Sequence, residues 1–410
     1  MLLSLVVRHL VRHGKLTLID AGDRCHVYEG SPGPEIVVRL RDPKLHWKLF
    51  VNPRLYLGEA FMDGTLSIEQ ASIYDLLAFI AGNLNLAPDH WAVRIGTGME
   101  RALRNWQQYN PVHRAQRNVA HHYDLSGTLY DLFLDADRQY SCGYFPTPGV
   151  TIEEAQAKKK RHLASKLLLQ SGMKVLDIGS GWGGLAIYLA RECGVTVTGL
   201  TLSREQLGVA RRRAEEAGLA DRVRFELCDY RVHQGSYDRI VSVGMFEHVG
   251  VPHYPDFFAK VRELLTEDGV VLLHSIGRMD GPYVTNPWLR KYIFPGGYSP
   301  ALSEVVPVVE RTKLWITDIE ILRLHYAETL KAWRQRFNAN RERIRALYDE
   351  RFCRMWEFYL AASEVAFRQQ GHLVFQMQLA KSIDAVPMTR DYMVDWERSH
   401  RVPVADERAA

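Results

Sequence analysis

From Thr151 onward the sequence alternates between short apolar runs and amphipathic stretches, and that alternation restricts the chain to one class of architecture. "KVLDIG" (174–179), "TVTGLTL" (196–202), "VRFELCD" (223–229), "YDRIVSVGMF" (237–246) and "GVVLLHSIG" (269–277) read as strands. Between them, "WGGLAIYLAREC", "SREQLGVARRRAEEAGL" and "PDFFAKVRELL" carry helical periodicity. Strands that are apolar almost throughout and joined by helices belong to a mostly parallel sheet with helices on both faces. The expected fold class is α/β. Two long helical patterns follow, 326–345 and 347–369, and a last strand-like run, "HLVFQMQLA".

The N-terminal part has another rhythm. "LTLID", "CHVYEG" and "EIVVRL" are short β-type runs separated by Gly and Pro, and "LHWKLFVNP" and "SIYDLLAFIAGNL" are helix-like. This predicts a small α+β domain over 1–105, a connector and cofactor-covering segment over 106–150, and a catalytic domain over 151–400. With 410 residues, 47% of them hydrophobic, the chain can bury a core in each domain. A formal net charge of +4 gives no overall field pointing to nucleic acid. The charge is instead clustered, in "KKKRH" (158–162), "RRR" (211–213) and "RERIR" (341–345). The five cysteines are scattered and form neither a disulfide framework nor a C-x-x-C pair for zinc, so no metal is expected and a reducing cytoplasm is the natural home. Arg8, His9, Arg12 and His13 interrupt the apolar N-terminus, so no signal-peptide core is read there. No stretch approaches the ~20 apolar residues that span a bilayer.

Chemistry enters at "KVLDIGSGWGGLAIYLA" (174–190). Gly179, Gly181 and Gly184 spell G-x-G-x-x-G, which suits a dinucleotide only when an acidic residue closes the second strand. That strand ends instead in Thr201, Leu202 and Ser203. Asp177 lies inside the first strand, immediately before the turn. A carboxylate beside a turn that admits close backbone approach suits a cationic amino-acid cofactor such as S-adenosylmethionine. Asp229, closing the third strand, sits where an adenine contact is expected.

The runs "VLDIGSGWGGLA", "QYSCGYF", "TLSREQ", "DRIVSVGMFEHVG", "LLHSIG" and "NPWLRKYIFPGG", with "NPRLYLGEAFMDG" in the N-terminal part, resemble the cyclopropane-fatty-acyl-phospholipid synthases over nearly the whole chain. The resemblance implies a class I methyltransferase fold of Rossmann-like type, with an N-terminal domain for lipid binding and homodimer contacts. It also implies a methylene added from S-adenosylmethionine to unsaturated acyl chains of phospholipids, by a cytoplasmic enzyme peripheral to the inner face of the membrane. Cofactor positions carried over are Tyr140, Ser141, Gly179, Gly181, Thr201, Gln206, Tyr230 and Arg231; Asp177, Ser203 and Asp229 complete the candidate set. A bicarbonate ion is implied at the reacting centre, on Cys142, Glu247, His274, the backbone of Ile276, and Tyr326.

An isolated alkene is a poor nucleophile and must be held in line with the sulfonium methyl. Attack leaves a carbocation, and loss of a proton from the new methyl closes the ring. A weak, diffuse anion suits that proton transfer, because it stabilises positive charge without attacking it. Loss of another proton, or reduction, gives a methyl-branched or methyl-unsaturated chain, and the sequence leaves that alternative open. A plant-type amine N-methyltransferase would need neither the N-terminal domain nor the bicarbonate set, and a non-catalytic lipid-binding protein would need no intact cofactor turn. Trp288, Tyr292, Ile293, Phe294 and Tyr298 are expected to wall an acyl tunnel or pack a lid, and "KKKRH" to meet anionic lipid. Two departures from the family pattern stand out. Ser363 occupies a position where many members carry cysteine, and "HYD" (122–124) continues as "LSGTLY".

Overall fold

In the N-terminal stretch, residues that alternate apolar and polar make strands with one buried side. Leu16 and Leu18 are buried while Lys15 and Thr17, which alternate with them, are not. The computed structural model describes residues 2–86 and 126–400. Strands β1 (His13–Ile19), β2 (Cys25–Glu29), β3 (Ser31–Leu40) and β4 (Leu66–Ile68) form a sheet in the order β2-β1-β3-β4, with β1 and β3 parallel. Asn83, buried on the helix Ile73–Asn85, accepts the backbone N–H of Arg12 at 2.7 Å and of His13 at 2.9 Å, which ties that helix to the start of β1. This compact unit comprises Met1–Arg104 together with Tyr283–Pro295 and Leu330–His372. Trp288 packs within it, its indole N–H donating to Met62 Sδ at 3.0 Å and its ring centroid 4.6 Å from that of Phe358.

The apolar runs after Thr151 assemble into a seven-stranded sheet in the second unit (Asn105–Pro282, Gly296–Thr329, Leu373–Ala410). Its strands are β5 (Lys174–Ile178), β6 (Thr196–Thr201), β7 (Val223–Leu227), β8 (Tyr237–Val243), β9 (Leu265–Arg278), β10 (Trp315–Leu322) and β11 (His372–Ala380), in the order β10-β11-β9-β8-β5-β6-β7. The pairings β5–β6, β5–β8, β6–β7 and β8–β9 are parallel, and β10–β11 is antiparallel. Neighbouring residues go to opposite cores: Leu176, Ile240 and Leu273 belong to one cluster, while Val175, Val241 and Leu272 belong to the other. Both faces are therefore covered, which is why these strands lack alternation.

Two elements depart from the expectation. The helical pattern 326–345 is broken at Asn340, between the helices His325–Ala339 and Arg341–Leu347, where the Asn340 side chain donates to the Arg336 carbonyl at 3.1 Å. Strand β10 was not anticipated, because "WITDIEIL" mixes Asp318 and Glu320 with its apolar residues. The connector residues 106–125, including "HYD", lie outside the described residues. Among the described residues, no helix is long and apolar enough to cross a membrane.

Candidate functional site

The turn after β5 takes backbone angles that glycine alone adopts freely: φ is +90° at Gly179, +55° at Gly181 and +82° at Gly183. A Cβ on Gly179 would stand 2.8 Å from Met245 Cβ. The Gly179 and Ser180 N–H groups donate to the Leu200 carbonyl at 3.0 and 2.8 Å, which fixes the turn against the end of β6. A cleft therefore opens at the carboxyl ends of the parallel strands, the usual ligand position in such sheets. Gly179, Gly181, Asp177, Thr201 and Gln206 line it from β5 and β6, Asp229, Tyr230 and Arg231 from the turn after β7, and Tyr140 and Ser141 from the segment before the helix Ile152–Lys166. Ser203 does not line it. Its hydroxyl accepts the Gln206 N–H at 3.3 Å as the N-cap of the helix Arg204–Glu216, so it orients Gln206, and Gln206 in turn meets the Thr201 hydroxyl at 3.0 Å.

Charge in this cleft is unevenly satisfied. Asp229 is engaged by Arg231, through Nε at 2.9 Å and a terminal nitrogen at 2.7 Å. Asp177 is 1% exposed, and its Oδ2 has no hydrogen-bond partner. Burial pushes its carboxyl up to about 7, partly offset by the charge of Lys159. A buried carboxylate oxygen left unpaired is costly, so this is a place made for a donor or a cation.

Behind the cleft, β9 places His274 and Ile276 two residues apart, on one side of the strand. Glu247, on the short 3₁₀ turn after β8, reaches across so that its Oε1 accepts the Ile276 N–H at 2.6 Å. Its Oε2 is buried without a partner, and burial raises the carboxyl to about 7. Burial also drops His274 to about 3, so the ring is neutral, and Gln376 Nε2 lies 3.2 Å from its Nδ1. That contact orients the ring and leaves Nε2 as the nitrogen not engaged by Gln376. The Ile276 N–H was expected to serve an anion directly; in the structure it is already given to Glu247.

Cys142 and Tyr326 belong to a second grouping. Gly143 N–H donates to Thr329 Oγ1 at 2.9 Å, and Phe145 N–H to His325 Nδ1 at 2.9 Å, so the Cys142 segment lies along the first turns of the helix that carries Tyr326. Tyr326 and Thr329, three residues apart, share a face. Burial raises the Cys142 thiol far above its ordinary range, leaving it protonated and suited to packing and backbone presentation.

The "KKKRH" run is no solvated face. None of residues 158–162 is exposed. Lys159 lines the cleft at 1% exposure, Lys160 is paired with Asp137 at 2.5 Å, and His162 lies between Glu320 and Glu397 at 2.6 and 2.5 Å. The helix Ile152–Lys166 turns Lys159, Lys160 and His162 to partners within the protein, while Lys158 and Arg161 are half-buried, so the run is not a fully solvated face. Among the residues expected to wall a tunnel or lid, Trp288 and Ile293 are 1% exposed, and Tyr298 bonds Glu304 at 2.7 Å.

A family model described as mycolic acid cyclopropane synthetase matches residues 111–377. A tuberculostearic acid methyltransferase of Mycobacterium tuberculosis is 40% identical over 79% of this chain and 78% of its own length. A cyclopropane-fatty-acyl-phospholipid synthase of Escherichia coli strain K12 is 37% identical over 85% of this chain and 88% of its own. Among solved structures, the mycolic acid cyclopropane synthase CmaA1, complexed with SAH and CTAB, aligns at 32% identity with a TM-score of 0.62, covering 66% of this chain and 99% of that one.

Proposed function

The chain belongs to the mycolic acid cyclopropane synthetase family and is an S-adenosylmethionine-dependent methyltransferase; from that premise we propose that it adds a methylene across the double bond of unsaturated phospholipid acyl chains. The observation that carries this reading is the partnerless, buried Oδ2 of Asp177 beside the glycine turn. It fits the cationic head of the methyl donor, whose electrophilic methyl is the chemistry it supplies. The lining residues Thr201, Gln206, Tyr140 and Ser141 hold the rest of the donor, and Asp229 with Tyr230 and Arg231 holds its adenosine end.

The residues around Glu247 fit a bicarbonate. Glu247 Oε2 is buried and unpaired, and a carboxyl near neutrality both donates and accepts. The neutral His274 offers Nε2, and Tyr326 donates from its hydroxyl. Ile276 acts through Glu247, fixing its carboxyl by the 2.6 Å bond. Bicarbonate held there would supply a weak base for the proton lost at ring closure. The buried setting of Glu247 and His274 excludes water, so that a cation on the chain meets neither hydroxide nor a strong nucleophile. We place the protein at the membrane surface as a homodimer on the same family premise.

A second reading is acyl C-methylation without ring closure, favoured by the 40% identity to a tuberculostearic acid methyltransferase. Incubating purified protein with S-adenosylmethionine and monounsaturated phospholipid vesicles tests both. Gas chromatography with mass detection should show chains heavier by one CH₂, eluting as the ring product. Elution as a methyl-unsaturated or methylene-bearing isomer establishes the second reading, and no mass gain on any unsaturated lipid overturns both.

A further inference from the structure

We infer that Lys159 is the counter-charge for the α-carboxylate of the methyl donor, and that Asp177 serves its α-ammonium, so that the cleft reads the donor's amino-acid head as a zwitterion. The inference rests on S-adenosylmethionine being the donor and adds a residue to the set that holds it.

The Lys159 ammonium makes two hydrogen bonds, to Gln139 Oε1 at 2.6 Å and Ser141 Oγ at 2.8 Å. Both acceptors are neutral. An ammonium has three donors, so one N–H is left over at 1% exposure, and no carboxylate oxygen hydrogen-bonds the charge, which Asp135 and Asp137 offset only through space. The nearby carboxylates make their hydrogen bonds elsewhere, although Asp135 and Asp137 still attract the ammonium through space. Asp137 takes Lys160, Arg213 and the Gln139 amide, while Asp135 accepts the backbone N–H groups of Asp137 and Gln139. Burying an ammonium with no anion bonded to it is costly, and that cost drags Lys159 down to about 8 against the attraction of Asp135 and Asp137.

Lys159 and Asp177 line one cleft and feel each other's charge, yet no hydrogen bond joins them. An ammonium and a carboxyl oxygen in one cavity, neither hydrogen-bonded to the other or to an opposite charge, are the complement of a ligand carrying both signs. A free oxyanion such as bicarbonate is the other carboxylate-like candidate, since Cys142 and His274 also sense Lys159. Neither of those residues lines the cleft, whereas Asp177 and Gly179 do. The α-carboxylate is therefore the anion that the position favours.

Calorimetry with S-adenosylhomocysteine and with its analogue lacking only the carboxylate tests this in the wild-type protein and in Lys159→Met. In wild type, loss of the carboxylate should weaken binding by about tenfold or more, the range for a hydrogen bond to a charged group. In Lys159→Met the two ligands should bind within about threefold of each other. Wild-type protein that does not discriminate the two ligands overturns the proposal, and that arm decides alone should the variant fail to fold. Full discrimination retained by Lys159→Met overturns it equally. Bicarbonate-free buffer should leave the wild-type discrimination intact; if added bicarbonate abolishes it, the ammonium belongs to the free anion and the proposal falls. Wild-type protein that binds neither ligand removes the methyl-donor premise itself, an outcome distinct from a failure to discriminate.

Discussion

In the donor cleft the backbone does the shaping: three glycines at positive φ, anchored to the Leu200 carbonyl, leave space for a ligand before any side chain is considered. Around Glu247 the opposite holds. There the shape comes from side chains on a 3₁₀ turn, a strand and a neighbouring glutamine, one of them already bonded to backbone. The first region waits for its ligand with an unpaired carboxylate oxygen. The second has used part of its hydrogen-bonding capacity on itself. A site built from backbone tolerates side-chain exchange but fails when a Cβ is added; a site built from side chains fails one residue at a time.

The sharpest separation of the two regions is Glu247→Gln. Turnover should fall by about 10²–10⁴, the typical worth of a general acid–base system, while calorimetric affinity for S-adenosylhomocysteine stays unchanged. Parallel loss of affinity would merge the regions. Gly179→Val should do the reverse, weakening donor binding by about 10–100-fold, as a backbone strain of 1–3 kcal/mol implies, with circular dichroism preserved.

The third test uses pH. The Asp177 carboxyl rises from 3.8 to about 7 on folding, so its contribution to stability is present below 3.8 and is lost as pH climbs through about 7. Without ligand, the melting temperature of wild type should therefore drop more between about pH 5 and pH 8 than that of Asp177→Asn. Identical slopes would mean the carboxyl is not held in its raised state. Smallest is Ser203→Ala, which should cost about 1 kcal/mol of stability by loss of the N-cap, read by denaturant titration, and leave donor affinity nearly untouched.

The sheet was legible because burial on both faces writes itself as unbroken apolar runs; β5, β6 and β8 fall within a few residues of "KVLDIG", "TVTGLTL" and "YDRIVSVGMF". Edge position hid β10, since Asp318 and Glu320 dilute its pattern. Asp177 and the glycines were legible as a local motif. Lys159 was misread because three adjacent lysines look like a charged surface. Yet Ile152, Ala155, Lys159 and Leu163 follow helical spacing, all four are buried, and that register places Lys159 on the inward face. The bond between Glu247 and the Ile276 N–H had no sequence signal at all, because it joins elements 29 residues apart through a backbone atom.

Gln139 holds the two charge systems apart: its amide nitrogen donates to Asp137 at 3.0 Å while its amide oxygen receives Lys159 at 2.6 Å. Being pinned at both ends, it cannot rotate, and being uncharged, it insulates. A glutamate in its place would hand the ammonium a permanent companion inside the protein, leaving a visiting carboxylate nothing to neutralise. The cleft's appetite is thus set as much by the neutrality of one amide as by the lysine it touches.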